Sequence, residues 1–387
     1  MKHRRTARIV LLLVVIAAVA IAVGVIGGIG SRAPEPATHA GAVPVMDTDA
    51  AVTRAPDPEV RWSNPVRGEP DGVTVSGTDV ATVEFDEVRV LDLASGAAKW
   101  RVELPGLARA RAVFTADRVI VGTRDEVVLL DRATGRRMGA VPFADAQHLR
   151  VTRASDGRDV VVAANLDGEM TAVDVAAARS RWSRSYPGAV VDPPAADGDL
   201  VVANWSLGTD TVLRVLSATT GDVQWDLALG AASTPPAIAG GRVFVAAGET
   251  EREAVFVAFD ATTSRPLWSG EFPAPWDQSG APVVAGDTIY LLDRVGTVTA
   301  VDVGSGQPRW QTRTHTSVLY ARMVANATRV IFQTFDDHVV ALDRTTGTVV
   351  SGTSEDAFPI DVDATDDTLV VALRRGAPSR IEARPAP

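Results

Sequence analysis

A chain of 387 residues, 46% hydrophobic and 22% charged, holds enough apolar side chain to bury one or two large cores, which excludes global disorder. The absence of cysteine excludes disulfides, thiolate metal sites, a cysteine nucleophile and a lipid-modified cysteine. The net charge is −10; four basic and no acidic residues fall in the first thirty, so the remainder carries 34 basic against 48 acidic residues, a charge of −14 that repels phosphate backbones and argues against nucleic acid as a partner.

Taken in chain order, Lys2, Arg4, Arg5 and Arg8 make residues 1–8 a short basic tail. Residues 9–30 contain no charged or strongly polar side chain. As a helix they extend about 33 Å, enough to cross a hydrocarbon core of about 30 Å. Only Arg32 follows closely, so the positive-inside bias predicts a signal-anchor with the tail in the cytoplasm and the rest outside, a single-pass protein of the plasma membrane. A cleaved signal peptide is the competing reading, with Thr38-His39-Ala40 as the processing site, although a secretory apolar region is ordinarily about 7–15 residues long. Residues 31–58, with Pro34, Pro36, Pro44, Pro56 and Pro58 among alanines, read as a flexible spacer.

From residue 88 onward one phrase recurs: VRVLDLASGAAKW, VVLLDRATGRRMG, MTAVDVAAARSRW, LRVLSATTGDVQW, FVAFDATTSRPLW, VTAVDVGSGQPRW and VVALDRTTGTVVS. Its pivots are Asp92, Asp131, Asp174, Ser217, Asp260, Asp302 and Asp343, at intervals of 39, 43, 43, 43, 42 and 41 residues, the spacing of a repeat architecture. Eight residues past each pivot stands Trp100, Gly139, Trp182, Trp225, Trp268, Trp310 or Ser351. Each unit reads as four short strands, with period-two alternation in VTAVDV and VVALDR and a turn in which glycine supplies positive φ and the pivot aspartate accepts backbone N–H bonds. Another interval would place the outer strand of the last unit beyond Pro387. Glu59 to Asn64, containing Trp62, therefore supplies that strand and closes residues 59–387 into a ring. The predicted fold is all-β, an eight-bladed β-propeller of four-stranded antiparallel blades preceded by one transmembrane helix. Trp62, Trp100, Trp182, Trp225, Trp268 and Trp310 are expected to dock blade on blade. Gly139 and Ser351 are expected to mark two less well packed junctions.

The phrase, an aspartate-containing turn with Thr-Gly leading to a tryptophan, resembles the repeat of the pyrroloquinoline-quinone-like (quinoprotein) β-propellers. The resemblance covers about residues 59–387. It implies either a quinone-dependent dehydrogenase or a non-catalytic scaffold of the BamB type that serves outer-membrane assembly. The dehydrogenases of this class use calcium held by Glu, Asn and Asp, a catalytic Asp, a stacking Trp and often a vicinal cysteine pair. This chain has no cysteine, is far shorter, and has short blade-to-blade linkers, so neither quinone nor calcium is expected. The run Asp361, Asp363, Asp366, Asp367 lacks the EF-hand spacing and reads as a strand followed by a solvated turn. No HExxH pair, Gly-x-Ser-x-Gly elbow, GxxxxGK loop or GxGxxG fingerprint occurs.

The residues left over are Trp205, Trp276, His148, His315, Phe335 and His338. In a four-stranded blade the turns between second and third strands and the connections from blade to blade fall on one face of the disc, and all six map there. Aromatic side chains on that face are candidates for recognition, or else covers for blade edges. The functional expectation is a monomeric, non-catalytic extracytoplasmic scaffold that binds an envelope protein. A quinone-dependent enzyme and a ligand-sensing ectodomain are the alternatives.

Overall fold

The computed structural model describes residues 45–47, 59–68, 70–208, 210–230, 232–248, 255–270, 272, 280–318, 322–354, 357–374 and 379–387. Residues 1–44, and with them the anchor expected over 9–30, lie outside that set. Among the described residues no helix is long and apolar enough to cross a membrane.

Eight antiparallel sheets follow one another along the chain, and we number them blades 1 to 8. Their strands lie within residues 70–103, 113–142, 148–185, 190–230, 232–270, 283–313, 323–354 and 358–385. In each the chain runs from an innermost strand outward, so the fourth strand lies at the rim. Blade 8 takes its fourth strand from the other end of the domain. Trp62–Pro65 pairs antiparallel with Arg380–Pro385, with Trp62 opposite Ala383 and Pro65 opposite Arg380. The pairing is reinforced by Arg61 N–H to the Ala383 carbonyl and Val66 N–H to the Ser379 carbonyl, both at 2.9 Å.

The middle strands are buried on both faces rather than on one. Asp159–Ala164 and Thr297–Asp302 are covered along nearly their whole length, because each blade is stacked between two others. That is why these segments are runs of Val, Ala, Ile and Leu, whereas a rim strand such as Arg179–Ser185 buries Trp182 and leaves most of its other positions exposed. The period-two alternation read from VTAVDV and VVALDR therefore does not appear as exposure, since these strands are buried along nearly their whole length. Val45–Asp47, within the stretch read as spacer, is also a correction. It lies parallel to the rim strand Pro308–Arg313 of blade 6, with Val45 opposite Gln311 and Asp47 opposite Arg313. An edge strand offers unpaired N–H and C=O groups, and an extended segment passing nearby satisfies them.

The repeat tryptophans share one geometry. Each rim-strand indole N–H donates to the carbonyl just past the pivot of the next blade: Trp62 to Leu93 (2.8 Å), Trp100 to Arg132 (2.9 Å), Trp182 to Ala218 (2.9 Å), Trp225 to Ala261 (2.8 Å), Trp268 to Val303 (2.9 Å) and Trp310 to Arg344 (3.1 Å). The rings lie on the turn glycine of that next blade. A Cβ at Gly96, Gly135, Gly221, Gly306 or Gly347 would fall 2.5–2.6 Å from the indole, and all five have positive φ. Glycine is needed there twice over, for its conformation and for the room it leaves. Facing Trp225 the turn instead holds Ser264 at φ 58°, and Trp225 is the one repeat tryptophan that is only half-buried.

The pivot aspartates build the turns. Asp92, Asp131, Asp174, Asp260, Asp302 and Asp343 each accept the main-chain N–H three residues on, at 2.7–3.0 Å. These bonds favour the charged carboxylate, and Asp302, held first by Arg309, is drawn down to about 2. At the fourth blade Ser217 takes the role through its hydroxyl.

The Gly139 junction is not the loose one expected. A Cβ on Gly139 would lie 2.5 Å from that of Ala178, which occupies the turn position held by glycine in blades 1, 2, 4, 6 and 7. The tryptophan–glycine pair is here exchanged for a glycine–alanine pair and the backbones approach closely. Restoring the repeat residue alone, Gly139→Trp, is therefore expected to destabilise the protein by about 2 kcal/mol or more through overpacking. Adding Ala178→Gly should recover part of that loss. Chemical denaturation of both variants checks this; additive losses would dismiss the exchange.

Candidate functional site

Because strands alternate in direction, the turns between second and third strands and the blade-to-blade connections share one face. The candidates divide on it. Trp205 does not stand on a loop: it lies in the strand Leu200–Leu207, is 2% exposed, and packs between blades 3 and 4. Tyr186 meets it edge-on at 5.1 Å, and the Arg214 guanidinium lies 5.2 Å above its ring and 4.1 Å above Tyr186. It is a covered blade contact, not an exposed anchor, because a long hairpin carries its strand beyond the expected turn. Trp276 lies outside the described residues.

Phe335 is exposed at its turn and rests edge-on against Phe358 at 5.6 Å. His338 follows it, half-buried; its backbone N–H donates to Thr334 Oγ1 at 2.9 Å, and its Nδ1 lies 3.9 Å from Asp336. His315 sits exposed in the connection from blade 6 to blade 7 with φ 55°.

Sequence reasoning overlooked most of the apolar residues on this face. Phe85, Leu166, Leu207, Val295 and Phe335, at the ends of the second-to-third-strand hairpins of blades 1, 3, 4, 6 and 7, are each 45–62% exposed. Leu107, in the connection from blade 1 to blade 2, joins them. Phe85 occupies a two-residue hairpin turn at φ 50°, a conformation ordinarily given to Asn or Gly and strained for a bulky side chain.

His148 opens the innermost strand of blade 3, His148–Arg153, at the same end of the central channel. Around it gather Arg150 from that strand, Arg111 at the entry to blade 2, Arg322 at the entry to blade 7, and Asp361 and Asp363 from the innermost strand of blade 8. Arg322 lies 3.1 Å from Asp363 and 3.7 Å from Asp361, and Arg111 lies 3.5 Å from Asp361. The two aspartates also accept the N–H groups of Val73 and Val75 of blade 1, each at 2.9 Å. The strand-then-turn reading of this run holds: Asp361 and Asp363 lie in the strand Phe358–Ala364 and are buried struts between blades, and Asp366 and Asp367 sit in the turn after it. Among the described residues no group of three or more His, Asp or Glu side chains could hold a metal ion.

Burial first, then Arg150 and Arg111, draw His148 from 6.5 down to about 4. Between about pH 6.5 and 4 the unfolded chain therefore binds more protons at this group than the folded protein, so stability falls as pH drops through that window. His148→Gln should lose less melting temperature than the parent over that range. Equal slopes would show that His148 titrates normally.

Eight four-stranded blades, six of them docked on the next blade's turn by a tryptophan, define a β-propeller with pyrroloquinoline-quinone-like repeats. The chain belongs to the family described as outer membrane protein assembly factor BamB, whose family model matches residues 27–209 and 208–380. The serine/threonine-protein kinase AfsK of Streptomyces coelicolor is 27% identical over 326 residues, 73% of this chain and 40% of that protein. The outer membrane protein assembly factor BamB of Nitrosomonas eutropha is 26% identical over 251 residues, 59% of this chain and 58% of its own length. That of Vibrio cholerae is 30% identical over 137 residues, 32% and 34% of the two chains. The chain thus spans between about a third and three fifths of these relatives. Among solved structures, BamB from Moraxella catarrhalis is similar with a TM-score of 0.64 at 14% identity, over 85% of this chain and all of that one. The computationally designed Ika8 protein is similar with a TM-score of 0.69 at 16% identity, over 83% and 98% of the two. At these identities both show the fold.

Proposed function

We propose that this protein is a non-catalytic scaffold that docks another protein of the cell envelope, held on the extracytoplasmic side of the plasma membrane by residues 9–30. The observation that carries this reading is the set of exposed apolar tips, Phe85, Leu166, Leu207, Val295 and Phe335, on one face of a rigid ring. Apolar side chains at loop ends of a fixed framework contribute area at little entropic cost on binding. A phenylalanine kept in the strained conformation of Phe85 serves binding better than folding. The family's description as an assembly factor supports the same reading.

The test compares the parent chain with Phe85→Asn and with a Phe85→Asn, Leu166→Ser, Phe335→Ser triple variant. Asn relieves the positive φ, so the single variant should melt at or above the parent temperature. Crosslinking in the native envelope should recover the partner at least tenfold less well with the triple variant. Undiminished capture by a folded triple variant would sink the docking face.

A further inference from the structure

The channel cluster does not balance. Three guanidiniums, Arg111, Arg150 and Arg322, face two carboxylates, Asp361 and Asp363, and both carboxylates are already engaged by Arg111 and Arg322 and by blade 1 backbone N–H groups. Arg150 is left over. It donates to the carbonyl of Leu149 at 3.0 Å, and among the described residues no carboxylate lies within ion-pair distance of it. Burial first, and then the like charges of Arg111 and Arg322, draw it down to about 10. Its side chain is nevertheless exposed. A group enclosed by protein on every side and still open to solvent is one that projects into the channel, where an ion can reach it.

We propose that Arg150, with Arg111 and His148 beside it, forms a binding site for a single carboxylate group at the channel end that opens on the face described above. One uncompensated positive charge matches one carboxylate, and the planar guanidinium fork can donate two parallel hydrogen bonds to it. Low local dielectric, which makes the unpaired guanidinium costly, makes its pairing favourable. The overall acidity of the domain and the confinement of the charge to a channel disfavour a polyanion or a lipid surface. The carboxylate is either that of a small free acid or the C-terminus of a peptide. The site stands independently of the docking face, since none of its residues is among the apolar tips.

The experiment titrates the full chain calorimetrically at low ionic strength with succinate, with a hexapeptide bearing a free C-terminal carboxylate, with the same peptide amidated, and with inorganic phosphate. Saturable one-to-one binding of succinate or of the free-ended peptide, at least tenfold weaker in Arg150→Gln and intermediate in Arg150→Lys, supports the site; which of the two binds identifies the source. Arg153→Gln, on the same strand with its side chain 72% exposed, should change affinity less than twofold. In the absence of added anion, Arg150→Gln should melt no earlier than the parent, because a repelled charge has been removed. No saturable binding of either carboxylate, equal binding of the amide, preference for phosphate, or unchanged affinity in Arg150→Gln overturns the proposal.

Discussion

Trp268→Ala is expected to destabilise the protein by about 3–5 kcal/mol, the range for truncating a large buried aromatic. The indole is 5% exposed, lies on Gly306, and packs against Phe244 and Phe256 with ring centroids 6.0 and 6.1 Å away. A side chain of this kind buries about 150–250 Å², or about 4–6 kcal/mol at ~25 cal/mol per Å² as an upper bound. Its removal also leaves the Val303 carbonyl without the indole N–H that reaches it at 2.9 Å. The cavity cannot collapse easily, because the turn beneath is fixed by Asp302 and its hydrogen bonds to Ser305. Trp225→Ala should cost less, about 1–3 kcal/mol, since that ring is half-buried and the turn it faces carries Ser264 in place of glycine. Denaturant midpoints of the two variants decide the matter. Equal losses would mean that the glycine beneath the ring contributes nothing.

The second large effect is expected at the ring closure. Replacing residues 61–66 by a Gly/Ser linker of the same length should cost on the order of 5 kcal/mol or more, and should turn one cooperative unfolding step into two. The replacement removes the whole Trp62–Pro65 strand from blade 8 and, with it, the Trp62 indole bond to Leu93 and the Asn64 amide bond to the Gly96 carbonyl in blade 1. The first and last blades would then be held by fewer contacts: the apolar packing of Val73, Val80 and Leu91 with Val370, Ala372 and Ile381, and Asp361 and Asp363 on the backbone of blade 1. Arg380–Pro385 would become an open edge, so the variant should also self-associate in size-exclusion chromatography. A monomer with an unchanged melting temperature would show that the strand is dispensable.

Strand content, blade number and the docking tryptophans were legible because each is a local pattern. The phrase from pivot to rim strand spans little more than a dozen residues, and its turn chemistry is satisfied within itself, as in the Asp92–Ser95 and Asp343–Thr346 bonds. What was not legible depended on pairs far apart in the chain. Gly139 looked like a defect until Ala178 was found against it. Trp205 looked like a loop aromatic because an eight-residue strand cannot be told from a shorter one by composition, and it proved to be core. The apolar tips were missed singly, since one exposed Leu or Val in a turn carries no signal. Arg111, Arg150 and Arg322 are three ordinary arginines scattered over more than two hundred residues.

By itself, then, the sequence determined the kind of blade and how many there are, because a hydrophobic period, a turn glycine and a tryptophan act over distances the chain covers within one repeat. Only the tertiary structure decided which charges share the channel and which apolar tips share a face. Ring closure brings together residues of blades 1, 2, 3, 7 and 8 that no local preference relates. Whether a charge there is paired, as Asp363 is with Arg322, or left over, as Arg150 is, follows from that arrangement alone.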